Sequence, residues 1–170
     1  MQKIIETERL ILREYNFKDT QFIIQLLNSE GWLAFIGDKN VHTEEDAQSY
    51  LLNGPMKSYA ENGYGLCAII RKEDLTPIGM SGLIKRDNLD FPDIGFAFLP
   101  EFMGQGYGFE IADAILTHAK DTLKIPTVYG IVMAENIGSR KLLEKIGLRV
   151  IGDYTFPSKD ENLLLLKIDF

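Results

Sequence analysis

Three glycines at alternate positions, Gly104, Gly106 and Gly108, stand in the stretch EFMGQGYGFEIADAIL (Glu101–Leu116), directly before an apolar helical pattern. A residue without a Cβ lets backbone N–H groups approach a ligand closely or turn sharply. The first turn of a helix carries unpaired N–H groups, and its dipole favours negative charge. A strand, a glycine loop and a helix in that order therefore make an anion site, suited to a phosphate-bearing ligand. On the glycines alone, a plain turn and a nucleotide loop stay open. A P-loop would need Lys followed by Ser or Thr after the last glycine, and none follows. A dinucleotide fold places its loop after the first strand of a βαβ unit, with an acid about 20 residues on. Here the loop follows three strands that read as a meander, and Glu135 lies beyond the end of the next strand. That rival, a nicotinamide-dependent oxidoreductase, requires an all-parallel sheet.

Downstream, NIGSRKLLEKIGL (Asn136–Leu148) opens with Asn136 and Ser139 about one helical turn apart, on the same side. Asn136 suits a helix cap and Gly147 a helix end. Arg140, Lys141 and Lys145 read as solvated helix charges that could screen a phosphate. Asp93 begins a strand, where an exposed carboxylate is the plain outcome and a proton relay the functional one. Cys67 alternates with Ala68 and Ile69 and reads as a buried small residue. His42 and His118 are far apart and beside no second thiol, so no zinc site is expected; His118 reads as structural.

These residues need elements to hold them. RLILRE (9–14) alternates as a half-buried strand. Asp19 is placed to cap a helix through TQFIIQLLN, and EGWLAFIGDKN reads as loop with a short helical turn. Thr43 with Asp46 resembles a capping box opening a helix to about Ala60, perturbed by Pro55. GLCAIIRK, PIGMSGLIKR and DIGFAFLP read as strands, the first two joined by the polar loop EDLT. The helix after the glycines runs through about Leu123, and TVYGIVM has the composition of a strand buried on both faces. LRVIGDYTF and NLLLLKIDF close the chain around PSKDE. The expected fold is α/β (α+β): a mixed, mostly antiparallel sheet of about seven strands flanked by about four helices.

At 170 residues with 45% hydrophobic composition, the chain is sized for one domain over 1–170 with a real core. The charged N-terminus lacks a signal peptide's apolar core, and no run is long enough for a membrane span; one cysteine fits a reducing compartment. The expected location is the cytoplasm. A net charge of −7 argues against nucleic acid and leaves a cationic substrate open.

Together the two segments resemble the GNAT superfamily of acetyl-CoA-dependent N-acyltransferases. Met103 to Gly108 match its helix-start pattern at both of its glycines, Gly106 and Gly108, and Asn136, Ser139 and the Glu144–Leu148 end match its second. The opening TERLILRE and the stretch PEFMGQGYG are similar to the branch containing ribosomal-protein N-terminal acetyltransferases. The resemblance runs from about Thr7 to Phe170. It implies a sheet splayed at a central parallel strand pair after a bulge, and acetyl-CoA as cosubstrate without a metal. It implies pyrophosphate binding by the backbone of Met103, Gly104, Gln105, Gly106, Tyr107 and Gly108. The pantetheine arm would lie along Phe96, Ala97 and Phe98, one of whose N–H groups faces the thioester oxygen, while their side chains pack in the core. Asn136 and Ser139 would contact the same arm, and catalytic roles fall to Asp93, Asn136 and Ser139. Trp32 and Phe35, with Tyr50, would line the acceptor site opposite DYTFPSKDE. The partner is an amine, either a protein N-terminus or a small molecule, and the assembly a monomer or homodimer. Two positions depart from the pattern. Met103 stands where an Arg or Gln is usual, so the cradle must rely on backbone N–H groups. Leu143 stands where many relatives have a thiolate-protonating Tyr; Ser139 is the substitute candidate. A coenzyme A-binding sensor or scaffold without turnover is the alternative.

Overall fold

A computed structural model of the chain describes residues 2–157, 159 and 161–170. Its strands are β1 (Lys3–Glu6), β2 (Leu10–Arg13), β3 (Leu66–Arg71), β4 (Pro77–Ile84), β5 (Asp93–Phe98), β6 (Thr127–Met133), β7 (Arg149–Tyr154) and β8 (Leu163–Asp169). Its α-helices are α1 (Thr20–Leu27), α2 (Glu30–Phe35), α3 (Glu44–Leu51), α4 (Lys57–Asn62), α5 (Tyr107–Asp121) and α6 (Ile137–Lys145). The strands form one sheet in the order β1-β2-β3-β4-β5-β6-β8-β7. Every neighbouring pair is antiparallel except β5 and β6. The antiparallel first strands remove the dinucleotide-fold rival.

Two counts need correction. The sheet has eight strands rather than about seven, because KIIE pairs back onto β2 through a turn closed by Thr7 N–H to Leu10 C=O at 2.9 Å. Four residues are too few to display an alternation. The described helices also exceed about four. The short turn expected within EGWLAFIGDKN is a helix, α2, and the long helix after Thr43 is divided. Its capping box forms as expected, with Thr43 and Asp46 satisfying each other's backbone N–H groups. Between α3 and α4 lies a π-helical stretch, Leu52–Met56, containing Pro55. Proline has no N–H and its ring crowds the carbonyl one turn back, so the chain widens there instead of breaking.

Asp19 does not cap α1 through its side chain. Its carboxylate is held instead by Arg13 Nη1 and Nη2, both at 2.8 Å, and by the Asn16 N–H at 2.9 Å. It closes the turn before the helix.

Alternation along β3 sets the layers. Cys67 and Ile69 face a core shared with Ile111, Ile115 and Ala119 of α5 and with Leu143 and Ile146 around α6. Ala68 and Ile70 face the opposite core, with Leu26 of α1, Trp32 of α2 and Ala47 of α3. The sheet thus carries helices on both faces, with α5 and α6 behind β5 and β6. Burial pushes the Cys67 thiol up to about 12, as suits a packing residue.

Candidate functional site

The site begins where the ladder stops. β5 pairs with β4 without interruption from Gly79↔Phe98 to Ile84↔Asp93. On its other side it meets β6 at one bridge, Asp93↔Tyr129, with Tyr129 N–H donating to Pro92 C=O at 2.9 Å. β6 instead follows β8 along its whole length. The expected splay at the parallel pair is present, but the β4–β5 register has no bulge, which corrects the expected cause. Leu99 N–H bonds Ile78 C=O at 3.0 Å. Strand alternation then aims the main chain of residues 93, 95 and 97 at β4. The N–H and C=O groups of Phe96 and Phe98 point toward β6, beyond the last bridge. An extended ligand amide can pair there as an added strand would.

A cavity of about 500 Å³ opens at this splay. It brings together Asp93, Phe96, Ala97, Asn136 and Ser139 with the expected acceptor residues Trp32, Phe35 and Tyr50. Phe98 does not line it; this side chain is buried in the core. Phe156, Lys159 and Glu161 of the stretch DYTFPSKDE line it too, while Ser158 and Asp160 of that stretch lie outside the described residues. The Trp32 indole is fixed by its Nε1–H to Gly37 C=O at 3.1 Å, and the Phe35 ring is exposed. Burial pushes the Tyr50 hydroxyl up to about 12, so it holds its proton at neutral pH.

Asp93 is not the exposed strand-end carboxylate of the plain reading. It is 3% exposed, and its Oδ1 accepts from Arg86 Nε at 2.7 Å. Burial pushes its carboxyl above the usual carboxylate range, against the pull of the guanidinium. Asn136 caps α6, its Oδ1 accepting from the Ser139 N–H at 3.3 Å. Both side chains are half-buried and line the cavity, so the cap and the contact role are compatible in one residue. Leu143 is buried and also lines it, leaving Tyr50 and Ser139 as the hydroxyl-bearing residues among the described lining.

The glycine loop lies apart from this cavity and its three glycines differ. Gly104 and Gly106 have φ of +72° and +83°, a left-handed region that favours glycine, and Gly106 is the N-cap of α5. A Cβ on Gly104 would meet nothing within 4 Å, so its surface is open to a ligand. A Cβ on Gly108 would sit 2.9 Å from Leu142 Cδ2, so that glycine serves the packing of α5 on α6. The Gln105 amide donates to Glu101 C=O at 2.8 Å, and the exposed Met103 reaches Gly31 of α2. Tyr107 is buried in the core.

Three residues, Arg9, Lys39 and Arg86, escaped sequence reasoning. Arg9 donates through Nε to Glu110 Oε2 at 2.7 Å and through Nη1 to Gln105 C=O at 3.0 Å, and its guanidinium covers the Tyr107 ring. It ties the N-terminal hairpin to the loop before α5 and stands beside Gly106. Lys39 and Arg86 line the cavity with Lys159. No local pattern marks Arg9, whose partners are about a hundred residues away, and none joins Lys39 to Arg86. Of the helix charges weighed for a phosphate, Arg140 is paired with Glu144 at 3.3 Å and Lys145 covers the Phe109 ring, while Lys141 is exposed. His118 is half-buried and lies outside the cavity, with its pKa lowered by burial. Among the described residues, no helix is long and apolar enough to cross a membrane, and no His, Cys, Asp and Glu side chains gather as a metal site.

The profile of the acetyltransferase (GNAT) domain matches residues 9–149. The uncharacterized N-acetyltransferase YnaD of Bacillus subtilis (strain 168) is 31% identical over 145 residues, covering 85% of this chain and 82% of that protein. A ribosomal-protein-S5-alanine acetyltransferase from Vibrio fischeri superposes with a TM-score of 0.81 at 15% identity, covering 97% of this chain and 95% of the other. A spermidine N-acetyltransferase from Vibrio cholerae, solved with CoA and spermine, gives a TM-score of 0.78 at 18% identity, with 96% of each chain covered. The two solved structures share the fold. The profile match over most of the length carries the assignment: this chain is an acetyltransferase of the GNAT family.

Proposed function

We propose that the protein moves the acetyl group of acetyl-CoA to a primary amine by direct attack in a ternary complex. The observation that carries this reading is the splay itself. Phe96 and Phe98 offer main-chain groups toward β6 past the last β5–β6 bridge, on the strand that lines a cavity of about 500 Å³ holding Asp93, Asn136 and Ser139. The residues fit the cosubstrate. The pantetheine arm pairs with the free edge of β5, and one N–H of Phe96 or Phe98 faces the thioester oxygen, where negative charge develops. The open surface of Gly104 and the α5 N-terminus at Gly106 take the pyrophosphate. Arg9 is a positioning residue there, since its guanidinium is engaged by Glu110 and Gln105.

The amine nitrogen forms a bond to the acetyl carbon as the carbon–sulfur bond breaks. The nitrogen's proton passes to Asp93, directly or through water, and the raised carboxyl pKa makes Asp93 a better base than an ordinary aspartate. The thiolate takes a proton from Ser139, whose hydroxyl recovers one from water, with Asn136 holding the arm. Trp32, Phe35 and Tyr50 shape the acceptor side. The protein acts as one domain over 1–170, in the cytoplasm, as a monomer or homodimer, without a metal.

The test is release of free thiol from acetyl-CoA across a panel of small amines and N-terminal peptides, together with calorimetry of acetyl-CoA binding. Amine-dependent release is expected. Failure to bind acetyl-CoA at sub-millimolar concentration would sink the proposal. Tight coenzyme A binding with no release across the panel would favour the sensor alternative, for which the absence of a Tyr at Leu143 is the motive.

A further inference from the structure

The whole chain carries a net charge of −7, yet the described walls of its main cavity carry three cations, Lys39, Arg86 and Lys159, and two carboxylates, Asp93 and Glu161. Asp93 is occupied by Arg86. Among the described residues, neither Lys39 nor Lys159 has a carboxylate within 4.0 Å. The three cations also sense one another. Lys39 is surface-exposed, but the atoms crowded around it, and then Lys159 and Arg86, lower the pKa of its ammonium. Like charges are costly to gather, and a chain rich in acidic residues has placed two here that no described carboxylate pairs.

We infer that the acceptor is a small primary amine that also bears an anionic group, a carboxylate or a phosphate, and that Lys39 and Lys159 hold that group. This rests on the acetyl-transfer reading of the same cavity. A polyamine would meet charge of its own sign, which costs binding rather than supplying it. The same cations favour the neutral form of a bound amine, which is the form that attacks. Lys159 also bridges two walls, its Nζ lying 3.5 Å from Ile36 C=O beside Gly37. A peptide that left the cavity between Ile36 and Lys159 would have to displace this contact, which favours a small acceptor.

The chain contains one tryptophan, Trp32, and it lines this cavity. Its fluorescence therefore reads acceptor binding without turnover. The full-length protein is titrated, with and without coenzyme A, with methionine against methioninamide and with phosphoethanolamine against ethanolamine. Spermidine and a methionine-initiated tripeptide complete the panel. The anionic member of each pair should bind about ten-fold tighter or more, as loss of a charge-paired contact predicts. The larger ratio tells carboxylate from phosphate. In a Lys39→Ala/Lys159→Ala double variant, with its fold checked by circular dichroism, each ratio should fall several-fold. Equal or reversed affinities, no Trp32 response to any anionic amine, or a preference unchanged in the double variant would overturn the inference. Tighter binding of the tripeptide than of methionine would overturn its size limit. Charge preference without any thiol release would support the anionic subsite and overturn the transfer reading.

Discussion

Arg86 Nε donates to Asp93 Oδ1 at 2.7 Å, and Asp93 is the residue through which β5 makes its bridge to β6. The ion pair therefore stands at the vertex of the splay, with the free strand edge on one side and the cavity around it. Two opposing effects act on this carboxyl. Burial raises its pKa, Arg86 lowers it, and burial prevails.

A base must be ionised to accept a proton, so the acid limb of kcat/KM should lie at higher pH than an ordinary aspartate would give. Asp93→Asn should cost roughly 10²–10⁴-fold in kcat and remove that limb. Arg86→Met should move the limb to still higher pH, because it deletes the guanidinium's pull toward the charged form while leaving Asp93 buried. A raised folded-state pKa means the native state holds its proton more firmly, so this group's contribution falls as pH rises through that pKa. A pH–rate profile of both variants checks the first points; an acid limb unchanged in Asp93→Asn would remove Asp93 as base.

The glycine loop should divide into ligand and packing positions. Gly106→Val places a branched side chain at φ +83° and at the α5 N-terminus, so it should abolish acetyl-CoA binding by calorimetry. Gly108→Ala should act on the fold instead. Its Cβ would meet Leu142 Cδ2 at 2.9 Å, an overpacking that costs about 1–3 kcal/mol. The expected signature is a lower Tm with acetyl-CoA affinity nearly kept. A Gly108→Ala protein of unchanged Tm and lost affinity would reverse the assignment.

Glu110 is the anchor of the N-terminal hairpin. It accepts from Thr7 Oγ1 at 2.6 Å, from the Arg9 N–H at 2.8 Å and from Arg9 Nε at 2.7 Å. Partial burial raises its carboxyl pKa, but these hydrogen bonds outweigh it and hold the carboxyl below its ordinary value. A lowered folded-state pKa gives stability that is present above the unfolded value and lost as pH falls through the folded one. Glu110→Gln should cost about 1–3 kcal/mol at pH 7 and flatten the loss of stability in acid. Urea midpoints at pH 7 and pH 3 check both, and a midpoint difference equal to that of the parent protein would count against the anchor.

Much of this was legible in the sequence because the signals are local. Asn136 caps α6, Thr43 and Asp46 form their box, Pro100 follows the end of β5, and the glycines open α5, all within a few residues. One local rule misled: Asp19 looked like the cap of α1, but Arg13 and the Asn16 N–H, six and three residues back, claim its carboxylate. Long-range pairings were not legible. Asp93 looked exposed because strand ends usually are; only the return of the chain around β5 and β6 buries it. The cavity's cations come from three separate loops, after α2, after β4 and after β7, and no spacing rule joins Lys39, Arg86 and Lys159. Arg9 and Glu110 meet across most of the chain. The cradle without its usual side-chain cation at Met103 thus has an arginine beside it, supplied by another element.

Asn136 and Ser139 offer the sharpest separation of scaffold from chemistry. Asn136 Oδ1 caps α6, while the rest of its amide faces a cavity that Ser139 also lines. Asp caps a helix as well as Asn does but carries no N–H₂ donor. Asn136→Asp should therefore keep stability within about 1 kcal/mol of the parent, since the cap survives. It should nevertheless lose activity through a higher KM for acetyl-CoA, because a carboxylate replaces the amide beside the arm. Asn136→Ala should lose both, with about 1 kcal/mol from the cap. Ser139→Ala leaves the cap untouched, since Asn136 bonds the backbone N–H of residue 139 and not its hydroxyl. A proton donor to the leaving thiolate lowers kcat when removed, so Ser139→Ala should reduce kcat by roughly 10²-fold or more with KM little changed. If kcat is kept, Tyr50 is the next hydroxyl to test, since its raised pKa keeps it protonated. Loss in a Tyr50→Phe variant, alongside an active Ser139→Ala, would move the acid from α6 to α3.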